Sequence, residues 1–162
     1  MTTPLPVAGG IVLGAAHMSD LPALMHLVEQ ACCQAGGDDD TLFSLRLAAE
    51  EVFTNILEYG YPGGAGPITI HIDAQPGQVR IRFIDAAPRF DPATVAAPRR
   101  DAPLEEREVG GWGWHFVRQA VDSVEWEPRE QGGNLFTLVK SLPVAGSPQQ
   151  GAGVNEHRNS TA

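Results

Sequence analysis

A glutamate and an asparagine four residues apart are the first residues here whose spacing could support chemistry. In TLFSLRLAAEEVFTNILEYG (41–60) the apolar residues recur at helical spacing, which predicts one buried face. The side chains of Glu51 and Asn55 project from another side of that helix, about 40° apart around its axis. The amide oxygen could ligate Mg²⁺ while the carboxylate orients or deprotonates a hydroxyl. Glu50 points about 100° away, as a solvated charge would. Ordinary polar helix faces also show this spacing.

A second candidate lies where a strand ends. In IRFIDAAPRFDP, Asp85 closes an apolar run and enters a turn. A carboxylate only accepts hydrogen bonds, so at this place it could take the exocyclic amine of adenine. The alternative is an aspartate that simply begins a turn, which is common.

A third candidate is the glycine-rich stretch VGGWGWHFV (109–117). Gly111 and Gly113 permit close backbone approach and positive φ. The helix expected to follow would offer free N–H groups and a positive dipole end to phosphate. The alternative is a junction that only needs flexibility. Trp114 is expected to pack against the sheet, and Trp112 either to shield a nucleotide or to meet a partner.

The irregular stretch between the second and third candidates is longer than an ordinary connection. Segments of this length are often lids or binding loops, and a lid is predicted at about 92–110. It carries Arg99, Arg100 and Arg107 among glutamates. Arg107 lies nearest the glycines and is the preferred candidate for closing on a γ-phosphate. A solvated run of charges is the alternative.

The remaining elements must position these residues. Helices are predicted at 20–36, 41–60 and 114–124, with Ser19 or Asp20 capping the first and Asp39, Asp40 or Thr41 the second. Strands are predicted at 9–15, 67–74, 78–86, 123–130 and 133–142. This order indicates an α+β fold with helices on one face of a mixed sheet.

The composition limits the function classes. A chain of 162 residues that is 43% hydrophobic is about one domain with a real core. Its net charge of −9 argues against binding nucleic acid or an anionic membrane. No apolar run approaches the roughly 20 residues of a membrane span, and no secretory signal pattern begins the chain. We therefore expect a cytoplasmic protein.

Taken in order, these motifs resemble the GHKL ATP-binding superfamily and, within it, the anti-sigma-factor serine/threonine kinases of the RsbW type. The matching stretches are LAAEEVFTNILEYGYPGG, IDAAPRFDP, and DAPLEEREVGGWGWHFVRQAVDSVEW followed by GGNLFTLVKSL. The resemblance implies a two-layer GHKL (Bergerat) ATP-binding fold. It also implies a kinase domain over 8–142, after an N-terminal extension at 1–7. Residues 143–162, poor in apolar residues, are expected to be a disordered tail.

The resemblance also implies a role for each candidate. Glu51 matches the general base that acts on a substrate serine, and Asn55 matches the Mg²⁺-ligating asparagine. Asp85 matches the adenine-reading aspartate. Gly111 and Gly113 match the glycines beside the phosphates. ATP and Mg²⁺ are therefore the expected cofactors.

Two residues depart from the family pattern. Ala87 stands where the family usually has the glycine of D-x-G. If that position needs positive φ or a tight approach to adenine, alanine would cost about 1 kcal/mol or more. Asn134 stands near a threonine that many relatives place beside the base, where it could still hydrogen-bond.

The resemblance implies a partner-switching serine kinase, which holds a sigma factor and phosphorylates an anti-anti-sigma protein of the STAS type. A non-catalytic module that sequesters a sigma factor or another regulator is the alternative, favoured by Ala87 and opposed by the retained Glu51 and Asn55. An isolated histidine-kinase catalytic domain is disfavoured, because it would need a histidine-bearing dimerisation helix upstream. Relatives often dimerise, and the first helix offers one candidate surface for a homodimer.

Overall fold

The computed structural model describes residues 7–99, 101 and 111–143. In this part of the chain, helices cover one face of a five-stranded sheet, which confirms the α+β fold. The strands and α-helices, in chain order, are β1 (Val7–Ala16), α1 (Leu21–Ala35), α2 (Asp39–Asn55), β2 (Gly66–Gln75), β3 (Gln78–Asp85), α3 (Gly111–Ala120), β4 (Ser123–Pro128) and β5 (Asn134–Ser141).

The sheet has the strand order β1-β2-β3-β5-β4. Every neighbouring pair within the described residues is antiparallel, so the expectation of a mixed sheet was wrong. The reason lies in the crossover through α3. It brings β4 back in the direction of β3, but β5 lies between the two and runs the opposite way.

The core forms between the helices and one face of the sheet. Alternate residues of β2 and β3 point to this face, as the period of two in a strand requires. Ile70, Ile81 and Phe83 are completely or almost completely buried there, and α2 adds Val52 and Phe53. The same alternation carries the last residue of β3, an aspartate, under the helices.

The first two helices begin and end at recognisable signals. Asp20 occupies the N-cap position of α1, one of the two positions predicted, but its side chain makes no capping hydrogen bond to that helix. A proline lies in the first turn. The cap of α2 was predicted wrongly, because Asp38 rather than Asp39, Asp40 or Thr41 holds that position. Asp38 still has extended backbone, and its carboxylate accepts a 2.8 Å hydrogen bond from the Thr41 amide. Propensity alone does not separate three consecutive aspartates.

The later helices differ from their predicted bounds. The predicted helix 41–60 changes after Asn55 into a π-helical turn, Ile56–Gly60. Such turns are rare and are often found at functional sites. The third helix was expected to start after the glycines, but α3 begins at Gly111 and so includes Gly113.

The predicted domain boundaries stay predictions. Of the predicted lid, residues 92–99 and 101 are described and begin with a short 3₁₀ turn, Pro92–Thr94. Residues 1–6, 100, 102–110 and 144–162 lie outside the described part, including most of the lid and almost all of the predicted tail. Among the helices that are described, none has the length and hydrophobicity needed to cross a membrane.

The end of α1 yields a test of the fold. Gly36 closes the helix at φ 82°, a left-handed conformation, and its amide bonds to the carbonyls of Cys32 and Cys33. We expect Gly36→Ala to lower the free energy of unfolding by about 1 kcal/mol, because a Cβ is disfavoured at this φ. Urea denaturation measures the loss. Gly14→Ala is the matched control, because nothing lies within 4 Å of the added Cβ. Equal effects of the two variants would contradict this account.

Candidate functional site

A cavity of about 580 Å³ lies between the end of α2, the end of β3, the start of β5 and α3. Its volume falls in the range of small-molecule sites. The lining residues are Asn55, Ile56, Tyr59, Gly60, Asp85, Ala87, Pro88, Arg89, Phe90, Thr94, Val95, Ala96, Trp114, Asn134 and Phe136. Four of the predicted site residues are thus brought together in one cavity: Asn55, Asp85, Ala87 and Asn134.

Asp85 is the buried carboxylate of this cavity, with 2% of its surface exposed. Its Oδ1 accepts hydrogen bonds from the Ala87 amide at 2.9 Å and from the Asn134 amide and side chain at 3.2 and 2.9 Å. Its Oδ2 is buried and has no partner among the described residues. Burial raises the pKa of Asp85, and these hydrogen bonds oppose that rise. Oδ2 is therefore an acceptor that lacks a donor.

Asn134 holds Asp85 in place. Its side-chain nitrogen donates to Asp85 Oδ1 and to the Pro88 carbonyl, at 2.9 and 3.0 Å. Its side-chain oxygen accepts from the Phe90 amide and from Trp126 Nε1, both at 2.8 Å. These four bonds use the full capacity of the side-chain amide. Asn134 is thus placed to orient the carboxylate, with no spare donor for a ligand.

Three further residues fix the backbone that follows β3. The Tyr61 hydroxyl accepts from the Ala86 amide at 2.8 Å and donates to the Pro67 carbonyl at 2.6 Å. Burial raises the pKa of this phenol, so the hydroxyl keeps its proton. Arg129 donates to the Asp85 carbonyl at 2.9 Å. Gly133 has φ 92°, and a Cβ there would overlap that same carbonyl oxygen.

Ala87 occupies this fixed segment without backbone strain. Among the described residues only glycines have positive φ. Ala87 therefore does not carry the conformational free-energy cost that alanine would have in a left-handed conformation. The residue is buried, with 4% of its surface exposed. Its methyl group faces Gly60, where an added Cβ would lie 2.8 Å from the Ala87 Cβ.

Glu51, Asn55 and Gly113 meet where α2 packs against α3. The side-chain nitrogen of Asn55 donates to the Glu51 carbonyl at 2.6 Å. A Cβ on Gly113 would lie 2.6 Å from Glu51 Oε2 and 2.9 Å from Asn55 Nδ2. Gly113 does not have positive φ, so that part of its prediction was wrong. Its missing side chain instead lets α3 approach the two polar side chains.

The adjacent residues Glu50 and Glu51 lie in different environments at this contact. Burial raises the pKa of Glu51, and the nearby charges of Glu50 and Glu58 raise it further. Glu50 itself is exposed, as the helical wheel predicts. Glu51 is half-buried beside the cavity but does not line it. A carboxyl in such a setting is suited to exchanging a proton.

The donor set allows a hydrated cation. Asn55 lines the cavity, and among the described residues its Oδ1 has no protein hydrogen bond. The described residues contain no group of three His, Cys, Asp or Glu side chains that could enclose a metal ion. Mg²⁺ usually keeps several waters and binds through one or two protein oxygens together with phosphates. The single amide oxygen of Asn55 at the cavity wall fits that mode.

The two tryptophans of α3 lie in different surroundings. Trp114 is buried as predicted, with its ring centroid 6.0 Å from that of Phe90 and 5.3 Å from that of Phe136. Trp112 contacts Phe116 on its own helix and does not line the cavity. Arg107 lies outside the described residues, so its contact with phosphate stays a prediction. Gly111 is the first residue of α3.

A comparison with family models identifies the chain. The model described as a histidine kinase-like ATPase domain matches residues 15–140. The chain belongs to the histidine kinase-like ATPase family. This confirms the resemblance to the GHKL superfamily. The description of the family implies ATP as its nucleotide.

Two relatives extend the comparison of this ATPase domain. The serine/threonine-protein kinase BtrW of Bordetella bronchiseptica is 26% identical over 102 residues, which cover 62% of this chain and 72% of BtrW. The crystal structure of the RsbU and RsbW domains of Rv1364c from Mycobacterium tuberculosis superposes with a TM-score of 0.57 at 18% identity. That match covers 83% of this chain and 32% of the other chain, and it supports the fold.

Several residues that shape the site of the ATPase domain were missed from sequence. Tyr61 follows a helix-ending glycine, and no periodicity marks it. Trp126 and Arg129 lie on and just after an ordinary strand pattern. The Gly-Gly pair before β5 is a turn signal in the sequence, and its second member, Gly133, also makes the close approach to the Asp85 carbonyl. Gly60 was interpreted only as the end of a helix.

Tyr61 provides a test of how this segment is held. We expect Tyr61→Phe to lower the free energy of unfolding by about 1–3 kcal/mol, because the Pro67 carbonyl and the Ala86 amide both lose their partner. Urea denaturation measures the change. Tyr59→Phe is the matched control, because Tyr59 is 62% exposed, and its effect should stay below about 0.5 kcal/mol. A neutral Tyr61→Phe would show that the hydroxyl does not hold the segment.

Proposed function

We propose that this ATPase domain is an ATP-dependent protein serine kinase that acts in partner switching. The observation that carries the proposal is the buried, unpartnered Oδ2 of Asp85, in a cavity that Asn55 also lines. An acceptor of this kind is suited to the exocyclic amine of adenine. Adenine at Asp85 would place the phosphates towards the other end of the cavity.

Each residue near the phosphates then has a role in the proposal. Asn55 would hold Mg²⁺ through Oδ1, and the ion would neutralise charge on the phosphate oxygens. Glu51 would accept the proton of a substrate serine as the serine oxygen bonds to the γ-phosphorus; the bond from that phosphorus to the β–γ bridging oxygen would break, and ADP would leave. The raised pKa of Glu51 makes it a better proton acceptor than an exposed glutamate. Arg107 of the predicted lid would approach the γ-phosphate.

The partners in this proposal come from the resemblance to RsbW-type kinases. The substrate would be a serine of a STAS-type anti-anti-sigma protein, and the sequestered protein would be a sigma factor. Support comes from the similarity to the serine/threonine-protein kinase BtrW and from the fold shared with a structure that contains an RsbW domain. We place this activity in the cytoplasm, where ATP and the transcription machinery meet. Pairing of two copies stays a prediction.

A second candidate function is a nucleotide-binding module that sequesters a regulator without phosphotransfer. One observation favours it. Glu51 Oε2 lies against Gly113 at the helix contact, and Glu51 does not line the cavity. A base held in that position would have to move before it reached a substrate hydroxyl. The two candidates agree on ATP binding and differ on chemistry.

The proposal is tested in two steps, binding first and transfer second. Calorimetry with ATP should show micromolar affinity in Mg²⁺, weaker binding in EDTA, and weaker binding by Asn55→Ala because the metal loses its protein ligand. No binding at millimolar ATP would contradict both candidate functions. Binding that is indifferent to EDTA and to Asn55→Ala would remove the metal role of Asn55.

The second step separates kinase from binding module. STAS-domain proteins encoded in the source genome are incubated with radiolabelled ATP and the kinase. We expect Glu51→Gln to lower the transfer rate at least about 100-fold while ATP affinity is retained, because the proton acceptor is lost. Glu50→Gln, at the exposed neighbour, is the matched control and should transfer within about threefold of the wild-type rate, because it keeps the base and removes only a secondary influence on the pKa of Glu51. ATP binding without transfer to any STAS protein would favour the binding module.

The pH dependence of transfer is part of the same experiment. Because the pKa of Glu51 is raised, its proton stays bound to a higher pH than in an exposed glutamate. The deprotonated base, and with it the transfer rate, is lost as pH falls through this raised pKa. The acid limb of the rate profile should therefore lie above pH 4.5, the ordinary value.

A further inference from the structure

Gly60 is a glycine that its backbone conformation does not require. It ends the π-helical turn after α2, and its φ is not in the left-handed region. Any L-residue could adopt this backbone. Residue 60 has no room for a side chain, because an added Cβ would lie 2.8 Å from the Ala87 Cβ and 3.8 Å from Ile56 Cγ2. Real Cβ atoms essentially never approach within 3.0 Å.

Ala87 is the other half of this contact. Its amide donates to Asp85 Oδ1, so its methyl group is held beside the carboxylate whose Oδ2 has no hydrogen-bond partner in the described part of the chain. Gly60 and Ala87 both line the cavity. A Cβ cannot rotate away as a long side chain can, so the two positions together have room for one methyl group.

We propose that Gly60 and Ala87 act as a pair that sets the width of the base end of the cavity, and so decides which nucleobases reach Asp85. This inference rests on the proposed binding of ATP. With a methyl at both positions, the π-helical turn or the Asp85–Ala87 segment must shift, and Oδ2 moves with it. With a methyl at neither position, the base end becomes wider.

The chemistry of the ligand makes the width measurable. An adenine alkylated at its exocyclic nitrogen keeps one N–H there, so it can still donate to Asp85 Oδ2. What it adds is bulk beside the carboxylate. N6-benzyl-ATP therefore reports the width of the base end and leaves the hydrogen bond available.

The test is calorimetric titration of four proteins with ATP and with N6-benzyl-ATP: wild type, Gly60→Ala, Ala87→Gly and the double variant. Gly60→Ala should bind ATP at least tenfold more weakly than wild type. The double variant has one methyl again, moved to the opposite wall, and should recover ATP affinity to within about threefold of wild type. Ala87→Gly should raise the ratio of N6-benzyl-ATP to ATP affinity at least tenfold. Ala86→Gly, at the exposed neighbour, controls for added backbone freedom and should leave that ratio unchanged.

The outcomes separate this inference from the proposed function. If Gly60→Ala does not fold, thermal unfolding and ATP binding of the double variant decide, because a steric pair predicts rescue. Wild-type ATP binding with an unaffected Gly60→Ala, or a double variant no better than Gly60→Ala, overturns the pair. An unchanged ratio in Ala87→Gly overturns its role in base selection. If the wild type binds no ATP, the proposed function falls, and base selection falls with it.

Discussion

The rest of this site depends on one buried carboxylate, whose two oxygens differ in their hydrogen bonding. Asp85 Oδ1 accepts three hydrogen bonds, whereas Oδ2 has no partner among the described residues. A buried polar group without a partner is costly, so the protein must hold this arrangement firmly. Asn134, Tyr61 and Arg129 do so from three directions. A ligand N–H that reached Oδ2 would supply the missing hydrogen bond, and part of the free energy lost by burying the carboxylate would be regained on binding.

Helix α3 connects this carboxylate to the proposed chemistry. Trp114 packs between Phe90 and Phe136 in the cavity wall, and one residue earlier Gly113 lies against Glu51 and Asn55. One helix therefore packs against both the proposed base end of the cavity and the polar pair. The two neighbouring residues thus contribute differently: the Trp114 ring fills space in the cavity wall, whereas Gly113, without a side chain, leaves room for Glu51 and Asn55.

The parts of the site that depend on local sequence were predictable. Asp85 could be chosen because a strand pattern ends there, and Glu51 with Asn55 because helical geometry places them together. The contact between Asp85 and Asn134 joins residues 49 apart, and it follows from the register of β3 with β5, which no local pattern encodes. The position of β5 between β3 and β4 and the contact of Ala87 with Gly60 were not predicted either, because both depend on tertiary structure that no local pattern encodes. A close approach at Gly113 was predicted and is observed, but the close neighbours are Glu51 and Asn55, and its place beside phosphates stays a prediction.

The central claim is that Asp85 Oδ2 recognises an amine, and comparing ATP with inosine triphosphate tests it most directly. The inosine base carries a carbonyl oxygen where adenine has its amine, so an acceptor would face an acceptor. The wild type should bind ATP roughly 10- to 100-fold more tightly by calorimetry, the value of a hydrogen bond to a charged group. Asp85→Asn should reduce that preference to a few-fold. Equal wild-type binding of the two nucleotides, or an undiminished preference in Asp85→Asn, would contradict the account.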